Sequence, residues 1–297
     1  MSMTNTQKFK YNLLAGSLSL LAKFPLGFLY PISSFASWML RDVVKYRRKV
    51  VDENLKRAFP TTDASERKQW RHTFYRYLCD TFIEAVKLLG ISDQEVDRRV
   101  KVFNAEIVDN AVADGHSVVL FLGHYGNWEW VPAITRHFHN GAEMVQIYHP
   151  LRDKVMDQLM LKIRSRFGSE SIPMANTYRR LVEIERDGNR FVAGFISDQR
   201  PRGHHTDSWM DFLGIETDYI TGGEVIGKRL KCKYIYLDVE PTGRGHYNMT
   251  FKEILPIDDG EDFPYTRSYM KMLESTISRN HPYWLWRHKR FSHLHKD

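Results

Sequence analysis

His124 and Glu129 are the residues whose types and spacing best suit catalysis in this sequence of 297 residues. They lie in the stretch Gly123-His124-Tyr125-Gly126-Asn127-Trp128-Glu129, directly after an apolar run. Histidine serves as a general base because its ordinary pKa is close to neutral pH. A carboxylate on the second ring nitrogen fixes the tautomer and stabilises the imidazolium. We interpret His124 as a candidate general base and Glu129 as the carboxylate that holds it.

The spacing alone does not establish this pair. Five residues of regular helix turn through roughly 500° and leave the two side chains about 140° apart. Gly123 and Gly126 flank the histidine and allow backbone conformations that are closed to other residues, so a turn could bring the groups together. The alternative is a capping histidine followed by a solvated first-turn acid. The apolar strand before the turn favours catalysis, because ligand and catalytic groups of α/β folds gather at the carboxyl ends of strands.

From residue 104 onward the apolar pattern alternates between helix and strand periods. It predicts strands near residues 117–122, 142–148, 190–196, 232–239 and 246–254. Within this region the pattern also predicts helices near residues 128–138, 152–167, 177–186, 224–230 and 264–280. Before it, the sequence predicts helices near residues 42–59, 63–89 and 92–99. Pro241 to Gly245 predicts a hairpin between the last two strands. We expect an α/β fold, with a mixed, largely parallel central sheet flanked by helices, as a single domain over residues 42–297.

The N-terminal residues 13–40 are strongly apolar, with Lys23 as their only charge and two prolines, Pro25 and Pro31. The apolar character continues past the point where a secretory signal would end, so we expect this segment to be retained. The prolines favour a kinked span or a pair of interfacial segments over one straight helix. We predict a membrane-anchoring helical segment over residues 1–41, with a buried N-terminal hairpin as the alternative. The basic run 41–57 is explained either by binding to anionic lipid headgroups or by a solvent-exposed helix face.

The composition limits the classes of possible binding partner but does not identify one. A net charge of +7 suits an anionic partner such as a membrane surface, a phosphorylated lipid, nucleic acid or an acidic carrier protein. Cys79 and Cys232 both lie in apolar patterns, so we predict two core cysteines in a reducing compartment and no disulfide framework or zinc site. The segment 282–291 interleaves aromatic and basic residues, which is typical of membrane interfaces and also of nucleic-acid binders.

Polar residues follow two other predicted elements. Arg164 lies near the end of the predicted helix 152–167, and Asp198 and Gln199 directly follow the strand 190–196. The loop after them contains several cations, which could bind a phosphate or an anionic carrier while Asp198 orients them. A turn-forming role is the alternative for Asp198. The adjacent His204 and His205 have no spaced partner, so we predict no metal and no cofactor.

These motifs, taken in their order along the chain, resemble the bacterial lipid A secondary (late) acyltransferases of the lysophospholipid acyltransferase superfamily. The central one is the His-x-x-x-x-acid motif at His124 and Glu129, in its Asn-Trp-Glu form. The others are Tyr46-Arg47-Arg48, Asn54-Leu55, Ala58-Phe59-Pro60, the helix with Arg164 and Gly168, Asp198-Gln199, Phe212-Leu213-Gly214, and Pro282-x-x-Trp284-x-Trp286-x-His288-x-Arg290-Phe291.

The resemblance implies a membrane-bound enzyme at the cytoplasmic face of the bacterial inner membrane. It would transfer a fatty acyl chain from acyl carrier protein to a hydroxyl of a phosphorylated lipid A precursor. His124 would deprotonate that hydroxyl, and Glu129 would hold and charge-balance His124. Arg164 would stabilise an oxyanion or phosphate with the support of Asp198, and Asn127 and Gln199 would complete the substrate-binding set. A thioester is activated enough to need no enzyme nucleophile, and the acyl carrier protein would be a co-substrate.

Alternatives remain open at this point. The cation-rich loop after Asp198 leaves the acceptor open, and a lysophospholipid or an aminolipid would suit the same chemistry. A lipase-like hydrolase is disfavoured because the sequence contains no Gly-x-Ser-x-Gly motif. A non-catalytic membrane or nucleic-acid binder would use the basic aromatic segments alone, and we expect no nucleic-acid partner. We also expect a monomer.

Overall fold

The computed structural model describes residues 3–139, 141–201 and 208–291. Its strands are β1 (Val100–Phe103), β2 (Val118–Leu122), β3 (Glu143–Tyr148), β4 (Glu170–Pro173), β5 (Phe191–Ile196), β6 (Trp209–Phe212), β7 (Ile215–Asp218), β8 (Lys233–Gly243) and β9 (His246–Glu253). Its α-helices are α1 (Asn5–Leu21), α2 (Leu26–Trp38), α3 (Arg48–Ala58), α4 (Ala64–Lys87), α5 (Asp93–Arg99), α6 (Glu106–Ala113), α7 (Lys154–Arg164), α8 (Thr177–Arg186), α9 (Gly222–Arg229) and α10 (Pro264–Arg279).

A seven-stranded sheet forms the centre of the fold, in the order β1-β9-β8-β2-β5-β3-β4. Neighbouring strands are parallel except for β8 and β9, which form the predicted antiparallel hairpin. The mixed, largely parallel sheet flanked by helices is therefore confirmed. The sequence did not predict the short strands β1 and β4, nor the separate hairpin of β6 and β7.

The sheet is covered on both faces, which explains the continuous apolar pattern of its central strands. All five residues of β2 are buried. Val119 and Phe121 pack into one core cluster, while Val118, Leu120 and Leu122 pack into the other. This alternation places helices on both sides of the sheet, as parallel strands require. Cys79 and Cys232 are buried free thiols, as predicted.

The apolar N-terminus forms two helices, α1 and α2, which meet at a bend of 118° just before Pro25 starts the second helix. Pro31 lies inside α2. Among the described residues, no individual helix has the length and apolar character needed to cross a membrane, although the bent pair passes that test jointly. Helix α2 packs against α4, where Ser33 donates a hydrogen bond of 2.5 Å to Asp80.

Two helix predictions were wrong in detail. The continuous helix expected over 42–59 is broken, because one π-helical turn at Met39–Val43 is followed by left-handed backbone at Lys45 and Arg47 before α3 begins. The predicted helix over 128–138 is a 3₁₀ helix at Trp128–His137, with Pro132 inside it. A proline lacks the amide hydrogen that a regular α-helix uses, so the tighter irregular turn is expected there.

Candidate active site

The sheet register brings His124 and Asp198 together. β2 and β5 are parallel neighbours, and Leu122 pairs with Ile196 at the end of both strands. His124 and Asp198 each lie two residues beyond that pair, so both emerge at the same carboxyl edge of the sheet. The ring Nδ1 of His124 lies 2.6 Å from Oδ1 of Asp198. The structure thus joins two residues that are 74 positions apart in the sequence.

The carboxylate of Asp198 is completely buried, and both of its oxygens form hydrogen bonds. Its Oδ2 accepts the backbone N–H of His124 at 2.7 Å and the indole N–H of Trp284 at 2.7 Å. Burial alone would raise the pKa of Asp198, but the charge and hydrogen bonds of His124 and the bond from Trp284 outweigh it, so this pKa lies below its usual range. Asp198 is therefore an anion at neutral pH, and it orients the ring of His124.

The His124 side chain itself is 22% exposed, in contrast to its buried partner. Because Nδ1 faces Asp198, Nε2 is the nitrogen that can take a proton from a bound hydroxyl. The indole ring of Trp128 packs edge-on against the imidazole, with ring centroids 5.0 Å apart. An aligned imidazole with one free nitrogen is the arrangement that general-base catalysis requires.

Two glycines make the turn around His124 possible. A Cβ atom at Gly123 would lie 2.5 Å from Cδ1 of Leu273, so the α10 side chain occupies that space. Gly126 has a φ of +58°, and a Cβ there would lie 2.7 Å from Cγ1 of Val239. The predicted need for glycine on both sides of the histidine is thus explained by close packing at one position and by left-handed backbone at the other.

Glu129 does not hold His124, and the predicted dyad is corrected on this point. Its two carboxylate oxygens accept a bidentate pair of bonds from Arg164, at 2.6 and 2.9 Å. Oε1 also accepts the indole N–H of Trp128 at 3.1 Å. The 3₁₀ helix that begins at Trp128 turns Glu129 toward the end of α7 and away from the ring nitrogen that Asp198 occupies.

The predicted roles of Arg164 and Asp198 change accordingly. Asp198 was expected to support Arg164, but its hydrogen bonds go to His124 and Trp284, while Glu129 supports Arg164. Burial lowers the pKa of Arg164, but the charge and hydrogen bonds of Glu129, with the charges of Tyr148 and Asp157, together outweigh it, so the net shift is upward and the guanidinium stays charged. The site therefore contains the hydrogen-bonded pair His124–Asp198 and the ion pair Glu129–Arg164, with Trp128 in contact with a member of each.

Residues 1–293 match the family model of the bacterial lipid A biosynthesis acyltransferases. The chain belongs to this family. A lipid A biosynthesis acyltransferase from Haemophilus influenzae is 20% identical to it over 244 residues, which cover 82% of this chain and 74% of that relative. The resemblance inferred from the motifs is thus confirmed, and the chain is placed among acyltransferases of lipid A biosynthesis.

In this lipid A acyltransferase family member, Asn127 lies behind the site. Its side chain is fully buried; Nδ2 donates to Oε2 of Glu84 at 2.7 Å and Oδ1 accepts the backbone N–H of Glu129 at 3.2 Å. The predicted contact with substrate does not fit this placement, because both ends of the amide are used within the protein. Asn127 positions the start of the 3₁₀ helix, and through it Glu129.

Gln199 was also predicted to bind substrate. It is buried next to Asp198, and neither polar atom of its amide has a hydrogen-bond partner among the described residues. The cationic loop that follows, with Arg202, His204 and His205, lies outside the described residues, so the structure describes no surroundings for it. Gln199 remains a predicted substrate-binding residue of the acyltransferase.

Sequence reasoning missed the part that the C-terminal block plays in this acyltransferase. The interleaved aromatic and basic residues of 282–291 were interpreted as typical of a membrane interface or of a nucleic-acid binder, but Trp284, Trp286 and Phe291 are at most 1% exposed. Trp284 forms an isolated bridge with Tyr125 and donates its indole N–H to Asp198. The available signal was the apolar run Trp284-Leu285-Trp286, all three of which are buried.

Proposed function

We propose that this protein is a membrane-associated acyltransferase that moves a fatty acyl chain from an acyl carrier protein thioester to a hydroxyl of a lipid A precursor. Membership of the family supports the reaction class. The observation that carries the proposal is the His124–Asp198 pair, a buried aspartate that aligns a partly exposed imidazole at the sheet edge. The same chemistry on a lysophospholipid or an aminolipid is the second candidate, since all three acceptors present a hydroxyl or amine.

In the proposed mechanism, Nε2 of His124 removes the proton from the acceptor hydroxyl as its oxygen attacks the thioester carbonyl. Asp198 keeps the ring in the productive tautomer and stabilises the imidazolium. The tetrahedral intermediate then expels the carrier thiolate, which takes the proton back from the imidazolium. The products are the new ester and the free thiol of the carrier, so atoms and charge balance without an enzyme nucleophile or a metal.

Arg164 remains the proposed cation for the oxyanion of the intermediate, with Glu129 as its positioning partner. The bidentate contact fixes the guanidinium plane at the end of α7. The Arg164 side chain is 22% exposed, so it is accessible to a bound substrate. A positioned cation of this kind stabilises the charge that develops on the carbonyl oxygen.

The exposed apolar side chains of α1 and α2 support membrane association. Eight large hydrophobic residues of this region are between 43% and 69% exposed: Phe9, Leu13, Leu20, Phe24, Phe28, Ile32, Phe35 and Trp38. Such a contiguous apolar surface is unusual on a protein that faces only water. We propose that the helix pair enters the cytoplasmic face of the inner membrane and brings the site to its lipid acceptor.

The direct test is an acyl-transfer assay with purified protein, acyl carrier protein thioesters and three separate acceptors: a phosphorylated lipid A precursor, a lysophospholipid and an aminolipid. We expect transfer to the lipid A precursor in the wild type and none above background with His124→Ala. Transfer confined to another acceptor would select the second candidate. Transfer that survives His124→Ala would contradict the mechanism.

A further inference from the structure

Two arginines near the site, Arg47 and Arg287, have charges that no carboxylate balances within the described residues. Nη1 of Arg47 donates to the backbone oxygen of Arg287 at 3.2 Å. Nη1 of Arg287 donates in turn to the hydroxyl of Tyr46 at 3.1 Å. Both partners are neutral groups, so these hydrogen bonds leave both guanidinium charges uncompensated within the described residues.

Neighbouring arginines behave differently, which makes this pair informative. Arg41 forms an ion pair with Asp42 at 2.6 Å, and Arg71 forms one with Asp52 at 2.6 Å. Arg48, the residue after Arg47, lies 3.9 Å from Asp52. Carboxylates are therefore available along this part of the chain, yet none of them contacts Arg47.

The chain path places the two arginines beside the catalytic pair. Trp284 donates to Asp198, and Arg287 follows Trp284 by three residues, a separation of at most about 11 Å even for fully extended chain. The segment is fixed at its far end, because Asn54 of α3 donates to the backbone oxygens of Trp286 and His288 at 2.8 and 2.5 Å. The C-terminal block thus links the His124–Asp198 pair to α3.

The pKa of His288 is consistent with excess positive charge around Arg47 and Arg287. Burial is the main cause that lowers the pKa of His288 to about 4, and the charges of His124, Arg287 and Arg47 lower it further. The imidazole of His288 is therefore neutral at pH 7. An anion bound by both arginines would offset the positive charge that lowers the pKa of His288.

The position of Arg47 indicates which substrate supplies that anion. It follows closely on Val43 and Val44, which are 55% and 61% exposed at the end of the apolar N-terminal region. Arg47 therefore lies where an apolar surface meets the polar rim of the site. The phosphate of an amphiphile lies at the same boundary between acyl chains and water, whereas a soluble carrier protein needs no adjoining apolar surface.

We propose that Arg47 and Arg287 bind a phosphate monoester on the glycolipid acceptor and so orient its hydroxyl toward His124. The proposal rests on the proposed function, since it assigns a second contact to the same acceptor. Two guanidinium groups suit a dianionic phosphate, because each can donate paired hydrogen bonds to its oxygens.

The experiment compares Arg47→Gln and Arg287→Gln with the wild type, using a phosphorylated lipid A precursor and the same glycolipid after enzymatic dephosphorylation. Each variant should raise the KM for the phosphorylated acceptor about tenfold, as expected for a lost hydrogen bond to a charged group, and leave the KM for the acyl carrier thioester unchanged. With the dephosphorylated acceptor, wild type and variants should have the same KM. Arg287→Lys keeps the charge but loses the planar guanidinium. Its KM for the phosphorylated acceptor should lie between those of the wild type and Arg287→Gln.

Arg179→Gln is the matched control, because Arg179 is an 85% exposed arginine paired with Glu183 on α8 and its loss removes the same charge elsewhere. Melting temperatures of all variants show whether they fold. An unchanged acceptor KM, or a raised KM for the carrier thioester instead, would overturn the proposal. If the wild type transfers no acyl chain, the proposed function fails. The phosphate site is then tested by equilibrium binding of the phosphorylated glycolipid. Binding to Arg47→Gln that is about tenfold weaker than to the wild type would support the site, and equal binding would overturn it.

Discussion

The Nδ1 atom of His124 lies 2.6 Å from Oδ1 of Asp198, while Glu129, the acid of the His-x-x-x-x-acid motif, binds Arg164 instead. The histidine and the acid of the motif therefore have different partners. In the proposed mechanism His124 is the general base, and Glu129 positions Arg164. This division of roles leads to separate expectations for each acid.

Loss of Glu129 should act through Arg164. In Glu129→Gln the guanidinium of Arg164 loses its bidentate anion, and we expect kcat to fall about 10²-fold because the cation is no longer fixed. In Arg164→Met the loss should be similar, and the double variant should be no worse than either single variant. A double-mutant cycle on kcat measures this coupling. Independent, multiplicative losses would contradict the assignment of Glu129 as a positioning residue for Arg164.

Trp284 should help to keep Asp198 in its ionised form. Its indole N–H is one of the bonds that hold the pKa of Asp198 below its usual range, so Trp284→Phe should raise that pKa. Protonation of Asp198 then occurs at higher pH, which an NMR titration of its carboxyl carbon measures. Trp286→Phe is the control, since its indole donates to the backbone oxygen of His281 at 2.7 Å and not to Asp198. Equal titration midpoints for Asp198 in the two variants would refute this role.

Glu84 should make stability depend on pH. It is fully buried, and burial raises its pKa from 4.5 to about 7 although bonds from Tyr247 and Asn127 oppose this. Between these two values the folded state holds a proton that the unfolded state has lost, so unfolding releases a proton and rising pH favours it. The free energy of unfolding should lose about 3 kcal/mol across this window through Glu84.

Glu84→Gln tests that expectation with little steric change. Its amide oxygen can still accept from Asn127 and Tyr247, and its NH₂ can donate to the hydroxyl of Tyr30, which lies 3.1 Å from the present carboxylate. Denaturant unfolding at several pH values should show the wild type losing stability relative to Glu84→Gln as pH rises from about 4.5 to about 7. A constant difference between the two proteins would contradict the raised pKa, because it would mean that Glu84 has the same protonation state in the folded and the unfolded protein across this window.

The sequence predicted the elements that carry strong local signals. The apolar run before His124 and the run before Asp198 were recognised as strands because buried parallel strands are continuously apolar. The four-residue strands β1 and β4 were missed because they are too short to show a period. The left-handed backbone at Arg47 was also missed, since non-glycine residues rarely adopt it and no side-chain pattern marks it.

The pairing within the site could not be predicted for a different reason. His124 and Glu129 are close in sequence, so local reasoning joined them, but the partner of His124 is set by the register of β2 against β5. Strand order and register depend on how the whole sheet packs. Asp198 was recognised as a candidate at a strand end, and only the three-dimensional neighbourhood shows that it meets the histidine.

The most direct test of this account is the single-turnover rate of acyl transfer in His124→Ala, Asp198→Asn and the double variant. Removing the orienting carboxylate of such a pair costs about 10³- to 10⁴-fold, so both single variants should lose at least that much. The double variant should be no slower than His124→Ala, because Asp198 acts only through the imidazole. An Asp198→Asn rate close to the wild type, or losses that multiply in the double variant, would contradict the His124–Asp198 pair as the proton-transfer unit.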